Sequence, residues 1–219
     1  MAIIASDKGG SADFEPAPAG NHVARCVSII DLGTQESEYL GEVSWKHQVF
    51  LMFELPLKMK TFKRDDEEVT EPFTVSGFYT LSLHEKANLC LLLEGWRGRS
   101  FTDEEKRAFD ISVLAGKECL VNVVRYKKKN GNDGAKIASI SQLPDGMTCP
   151  PQVHPTVIFS LSDFDRAVFD NLSDGLKRIV MKSDEYRVIS GEAGQKSVDD
   201  FGATEDQPSS PIDYDDIPF

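Results

Sequence analysis

Two phenylalanines lie on predicted strand faces that are otherwise polar or mixed. In the run 73–83 the odd positions are mostly apolar, whereas Phe78 shares its face with Thr74, Ser76, Thr80 and Ser82. In the run 46–55, Phe50 alternates in the same way with Lys46, Gln48, Met52 and Glu54. An exposed aromatic ring in this setting can stack on any nucleic-acid base, because every base has a π-face. The pattern predicts base stacking by Phe50 and Phe78. The alternative is that the helical insertion or the C-terminal helices cover this face and bury both rings.

Basic residues near these strands supply the second kind of chemistry, the neutralisation of phosphates. The candidates are Lys46, which begins the second strand, two arginines after the first helix and a basic run in a later hairpin. With one aromatic residue they form the predicted binding set: Lys46, Arg97, Arg99, Arg125, Tyr126, Lys127, Lys128 and Lys129. Tyr126 and Trp45 stand beside basic residues, and either stacking or a core position suits them. A second basic cluster comprises Lys58, Lys60, Lys63 and Arg64.

The last seven residues combine acidic side chains, aromatic rings and a proline. They are Asp213, Tyr214, Asp215, Asp216, Ile217, Pro218 and Phe219. A terminal Phe offers an apolar anchor and a carboxylate together, and the aspartates favour a basic partner. This tip resembles the C-terminal tip of bacterial single-stranded DNA-binding proteins, with one Asp fewer. The resemblance implies a peptide that replication, repair and recombination enzymes bind. The alternative is an ordinary acidic tail.

The order of predicted elements determines how these residues are positioned. Strands are predicted at 23–32, 46–55, 73–83, 119–126 and 135–143. Helical signals fall between the third and fourth strands: Ser82 with Glu85, and Thr102 with Glu105, have the spacing of capping boxes. This order is that of a five-stranded OB-fold, a Greek-key barrel. The expected fold class is therefore mostly β (α+β), with C-terminal helices in 164–181 that pack on the barrel. The ligand-binding loops would be 34–45 and 127–134.

The chain divides into four predicted parts. Residues 1–20 indicate a flexible arm and residues 21–145 the OB-fold domain. Residues 146–190 indicate a helical extension that packs on the barrel, and 191–219 a disordered acidic tail.

Charge is unevenly distributed along the chain. The net charge is −12, but residues 197–219 hold seven acidic and no basic residues. Without them the chain keeps 24 basic and 29 acidic residues, a net charge of −5. Global acidity therefore does not exclude a nucleic-acid ligand, provided that the basic residues share one face.

Catalytic and metal-binding patterns are not found in the sequence. The four cysteines, Cys26, Cys90, Cys119 and Cys149, form no CxxC pair and lie apart from the histidines. No phosphate-binding glycine loop or recognised nucleophile occurs. We expect no enzyme activity, no cofactor and no metal, with the cysteines serving as small core residues. The apolar runs are too short to span a membrane.

Short motifs in the body resemble those of a family of single-stranded DNA-binding proteins of tailed bacteriophages. The motifs lie at 18–22 (PAGNH), 30–35 (IDLGTQ), 78–86 (FYTLSLHEK), 96–99 (WRGR) and 137–140 (IASI). The resemblance covers roughly residues 17–190. It implies an OB-fold, sequence-tolerant binding of single-stranded DNA during phage replication or recombination, and residence in the cytoplasm of the infected bacterium. Partners would be single-stranded DNA and enzymes held by the tip, with self-association of the chain on DNA as a further alternative. Two alternatives are a decoy that occupies the host enzymes' pockets and a strand-annealing mediator.

Overall fold

A computed structural model describes residues 15–39, 42–64 and 67–191, without the side chains of residues 38, 39, 42, 62–64 and 67. Its centre is a six-stranded sheet in the order β3-β2-β1-β4-β5, with β6 paired to β1. The strands are β1 (Gly20–Tyr39), β2 (Glu42–Arg64), β3 (Glu67–Thr80), β4 (Glu118–Lys127), β5 (Asp133–Ser141) and β6 (Val157–Phe159). All pairs are antiparallel except β1–β6, which is parallel.

The first three strands are longer than the sequence predicts. Residues 34–39 and 42–45 of the stretch 34–45, which was expected to be a loop, lie in paired strands, with Gln35 opposite Lys46 and Glu36 opposite Trp45. Most of the charged stretch 58–71 is likewise paired, from Met59 opposite Pro72 onward. The prediction of a loop at 34–45 is therefore wrong. Polar composition alone did not separate this ribbon from a loop, because a polar side chain can be buried when it is hydrogen-bonded. Gln35 is such a residue, and its amide donates to the carbonyls of Leu32 and Ile179.

The helices between β3 and β4 follow the predicted apolar spacing. Helix α1 (Asn88–Arg97) buries Leu89, Leu92, Leu93 and Trp96. It has no side-chain cap, and Ser82 instead accepts a hydrogen bond from the amide of His84, so the predicted first capping box is wrong. The second capping box is confirmed at α2 (Asp103–Arg107), where Thr102 and Glu105 make both reciprocal bonds. A short 3-10 helix (Ile111–Leu114) leads to β4.

The C-terminal extension packs on the sheet, as predicted. It contains α3 (Arg166–Asp170), α4 (Asp174–Lys182) and α5 (Asp184–Ile189), with the expected break around Ser173. None of the helices in the described ranges is long and apolar enough to cross a membrane.

Two apolar cores lie on opposite faces of the sheet, and they confirm the predicted alternation. Val49, Leu51, Phe53 and Leu55 of β2 belong to the larger core, which also contains α1. Phe50 belongs to the second core, formed with the C-terminal extension. Three of the cysteines, Cys26, Cys90 and Cys119, are buried as expected, and burial raises the pKa of the Cys26 thiol to about 12.

The boundary between the N-terminal arm and the body lies earlier than predicted. Ala17 is buried in the larger core, and Glu15 pairs with Lys60 at 3.3 Å. Residues 15–20 therefore pack on the body, whereas residues 1–14 of the predicted arm lie outside the described residues.

Candidate nucleic-acid interface

Phe50 and Phe78 are cross-strand partners of β2 and β3, and their ring centroids are 5.1 Å apart. The Phe50 side chain is only 1% exposed, because the apolar residues of the C-terminal extension cover it. The expectation that Phe50 is partly exposed is therefore wrong, and in this structure its ring cannot reach a base. Phe78 is half-buried, packs on the same core and retains a surface that borders an open groove.

This groove lies where β3 ends and the chain turns towards α1. The groove is open to solvent and has a volume of about 460 Å³. Its lining combines two lysines, two aromatic rings and several small polar groups: Lys46, Phe78, Tyr79, Thr80, Ser82, His84, Lys86, Ala87 and Asn88. We call these residues the β3-end groove.

Local hydrogen bonds fix the shape of the groove wall. The amide of Leu81 donates to the carbonyl of His47 at 2.7 Å, which ties the end of β3 to β2. The Ser82 hydroxyl accepts from the His84 amide at 3.2 Å, and His84 Nδ1 accepts from the Lys86 amide at 3.3 Å. The turn is thus ordered by its own polar side chains, and its Lys86 lines the same groove as Lys46 of β2.

A glycine accommodates the second aromatic ring of the groove. A Cβ atom on Gly77 would lie 2.5 Å from the hydroxyl of Tyr79, so only glycine lets this ring fold back over its own strand. Burial raises the pKa of the Tyr79 hydroxyl above its ordinary value, so the phenol stays neutral at physiological pH.

The two lysines of the groove are exposed cations. Within the described ranges, neither Lys46 nor Lys86 has an ion-pair partner. A cation beside an aromatic surface matches the two parts of a nucleotide, its phosphate and its base. The arrangement therefore suits a short stretch of single-stranded nucleic acid.

The structure does not bring the two predicted arginines after α1 into this groove. Arg97 and Arg99 both bind the carboxylate of Glu105, with Arg99 at 2.6 Å. The Arg97 guanidinium also lies 4.1 Å from the centre of the Phe101 ring. The hydrogen bond from Arg99, the amide of Thr102 and the bond from Arg97 lower the pKa of Glu105 to about 2. The Glu105 carboxylate compensates one of the two positive charges, and the packing of both arginines assigns them to the α1–α2 junction.

The predicted residues of the β4–β5 hairpin also lie away from the groove lining. Arg125 donates to the carbonyl of Pro16 at 3.0 Å, and Lys127 pairs with Asp133 at 2.7 Å. Tyr126 has the Lys136 ammonium 5.6 Å from its ring centre. Lys128 and Lys129 occupy the hairpin end, and both have interactions with neighbouring groups. DNA contact by this hairpin stays a prediction.

Only Lys46 and Phe78 of the predicted set line the groove. The groove lining also contains Tyr79, Thr80, Ser82, His84 and Lys86, which were not among the predicted binding residues. The sequence placed Thr80 and Ser82 on the face of Phe78, but only the aromatic ring was assigned a binding role. Lys86 lies in a turn, where alternation gives no signal. The tip residues 213–219 lie outside the described residues.

Comparison with known proteins adds no family assignment. No protein-family model matches the chain, and no curated protein matches it at a significant level. The resemblance to phage single-stranded DNA-binding proteins therefore stays a prediction that rests on short motifs.

Proposed function

We propose that this chain binds single-stranded DNA with little sequence preference during phage DNA replication or recombination, and that it is not an enzyme. The observation that carries the proposal is the β3-end groove, whose lining combines two lysines with the half-buried ring of Phe78. Stacking is tolerant of sequence, and lysines contact phosphates rather than base edges, so this lining favours binding without base readout.

The order of elements supports the finer fold proposal, an OB-fold barrel. Three consecutive antiparallel strands, helices between β3 and β4, and a β4–β5 hairpin that pairs through β1 follow the expected order. In such a barrel the second and third strands border the ligand face, which is where the β3-end groove lies.

The C-terminal tip supplies the proposed second activity. Residues 213–219 would recruit replication, repair or recombination enzymes of the host or phage, in the bacterial cytoplasm, while the body holds DNA. Deleting Phe219 alone should abolish capture of such enzymes in a pull-down and leave DNA affinity unchanged. Capture that persists without Phe219 would exclude the tip as the recruiting element.

Fluorescence anisotropy with a labelled oligo-dT tests the DNA site directly. Phe78→Leu keeps the apolar packing but removes the π-face. We expect it to cost about 1–3 kcal/mol, or roughly 5- to 150-fold in affinity. Lys46→Gln and Lys86→Gln should each lower the slope of log affinity against log salt by about 0.7. The matched control is Lys182→Gln, which changes an exposed lysine at the end of α4, outside the groove lining.

If Lys46→Gln and Lys182→Gln change the affinity for oligo-dT and its salt dependence equally, the groove is not the binding site. A duplex of matching sequence should bind more weakly than the single strand, because its bases are already stacked on one another.

One observation favours the decoy as a second candidate. Several of the predicted DNA-binding cations are already paired, as shown by Arg97 and Arg99 with Glu105 and by Lys127 with Asp133. A decoy would bind host enzymes through its tip and bind DNA weakly or not at all. Failure of the chain lacking residues 197–219 to bind oligo-dT at low salt would favour this candidate.

A further inference from the structure

His47 joins the β1–β2 pair to the C-terminal extension through two carboxylates. Its Nε2 atom lies 2.6 Å from Asp31 Oδ1 of β1, and its Nδ1 atom lies 3.5 Å from Glu185 Oε1 of α5. A carboxylate only accepts hydrogen bonds, and the Nε2 atom donates one to Asp31. The 3.5 Å approach of Nδ1 to Glu185 is an ion-pair contact rather than a hydrogen bond, and it is attractive only when Nδ1 carries a proton as well. Only the protonated imidazolium has two N–H donors.

Both carboxylates also bind backbone groups across the same interface. Asp31 accepts from the amide of Leu161 in the extension at 3.2 Å. Glu185 accepts from the amide and the hydroxyl of Thr34 in β1, each at 2.7 Å. Asp31 and Glu185 are the titratable groups in contact with the ring, so the cluster holds two negative charges around a single histidine.

The backbone at this interface approaches closely. Gly33 has φ +71°, and a Cβ atom there would lie 2.5 Å from Cβ of Ser183. The Ser183 hydroxyl in turn accepts from the amide of Tyr186 at 3.2 Å and caps α5, which places Glu185 in its first turn. Sequence and packing thus hold the carboxylate of Glu185 against β1 and His47.

The interface borders the β3-end groove. His47 follows Lys46, and its carbonyl accepts the hydrogen bond of Leu81 that fixes the groove wall. We propose that His47 is a pH-sensitive clamp between the extension and the β1–β2 pair, tight when the ring carries both protons and loosened when it loses one. The clamp does not depend on what the groove binds.

The shifts of the three groups define the pH window. The hydrogen bond with Asp31 raises the pKa of His47 above its ordinary value of 6.5. The protonated His47 ring therefore makes its full contribution to stability below pH 6.5, and this contribution is lost as the pH rises through the raised pKa of the ring. Burial opposes ionisation of Asp31 and Glu185, but their hydrogen bonds outweigh it and lower both pKa values below the ordinary 3.8 and 4.5. The clamp is strongest between pH 4.5 and 6.5.

Thermal melts of the full chain at pH 6 and pH 9 test the clamp. Between pH 6 and pH 9, we expect the melting temperature of the wild type to fall by about 2–4 °C more than that of His47→Gln. Glu185→Gln, which keeps an acceptor for Thr34, should reduce the same difference. The control Lys106→Gln changes an exposed residue of α2, outside the extension and the groove lining, and should keep the pH dependence of the wild type.

An NMR titration of the histidine rings in the wild type gives a second measurement that needs no stable variant. The His47 signal, assigned through His47→Gln, should titrate above pH 6.5. Titration at or below 6.5, or equal pH dependence of the melts for the wild type and His47→Gln, would overturn the clamp.

Discussion

Truncating Phe50 to alanine separates the two roles that its ring could have, a core side chain or a binding surface. The ring is 1% exposed and lies in the second core. Removing a buried Phe typically costs about 3–5 kcal/mol. The loss includes the ring pair with Phe78, which contributes about 0.5–1.5 kcal/mol beyond burial.

This loss should be large enough to measure by denaturation. For a chain of this size, each kcal/mol lowers the melting temperature by about 2–4 °C, so Phe50→Ala should lower it by roughly 6–20 °C. Urea denaturation followed by circular dichroism gives the free energy of unfolding independently. Phe78→Ala is the matched control because its half-buried ring should cost less in stability.

The two variants should rank in the opposite order for loss of DNA affinity and for loss of stability. Below its melting temperature, Phe50→Ala should bind oligo-dT like the wild type, whereas Phe78→Ala should bind more weakly. If Phe50→Ala loses less than about 1 kcal/mol of stability, its ring is not packed beneath the extension and the description of the second core is wrong.

Other predictions concern salt, backbone strain, acid stability and the tail. Affinity for oligo-dT should fall by about 0.7 log units per log unit of salt for each phosphate neutralised; a salt-independent affinity would contradict phosphate contact. Gly33→Ala should cost more than about 1 kcal/mol in a denaturation assay, because φ is +71° and neighbours leave no space, whereas Gly131→Ala, with nothing within 4 Å, should cost less. The pKa of Glu105 is lowered to about 2, so its ionised carboxylate stabilises the fold above its ordinary pKa of 4.5, and this contribution is lost as the pH falls through 2. The melting temperature of Glu105→Gln should therefore fall less on acidification than that of the wild type. Deleting residues 197–219 should tighten DNA binding most at low salt, since a tethered acidic tail competes with phosphate; equal affinities at low salt would exclude this competition.

The pairing of strands shows which parts of the fold were accessible from sequence. The alternation of β2 and β3, the β4–β5 hairpin and the apolar stripe of α1 were predicted correctly, because each is set by local periodicity or by turn residues. The ribbons formed by 34–39 with 42–47 and by 59–64 with 67–72 were not predicted. Their pairing is local, with Tyr39 opposite Glu42 and Arg64 opposite Glu67, but their polar composition is that of a loop.

The candidate site shows the same division. The sequence determined by itself which residues share the face of Phe50 and Phe78, since adjacent side chains of a strand point to opposite faces. Only the tertiary structure decided that Phe50 is buried, because the residues that cover it, among them Phe159, Phe169 and Leu176, follow more than 100 positions later. It also decided which of the basic residues line the groove. Glu105 binds both Arg97 and Arg99 at a contact that α2 creates, whereas Lys46 and Lys86 line the groove together with Phe78.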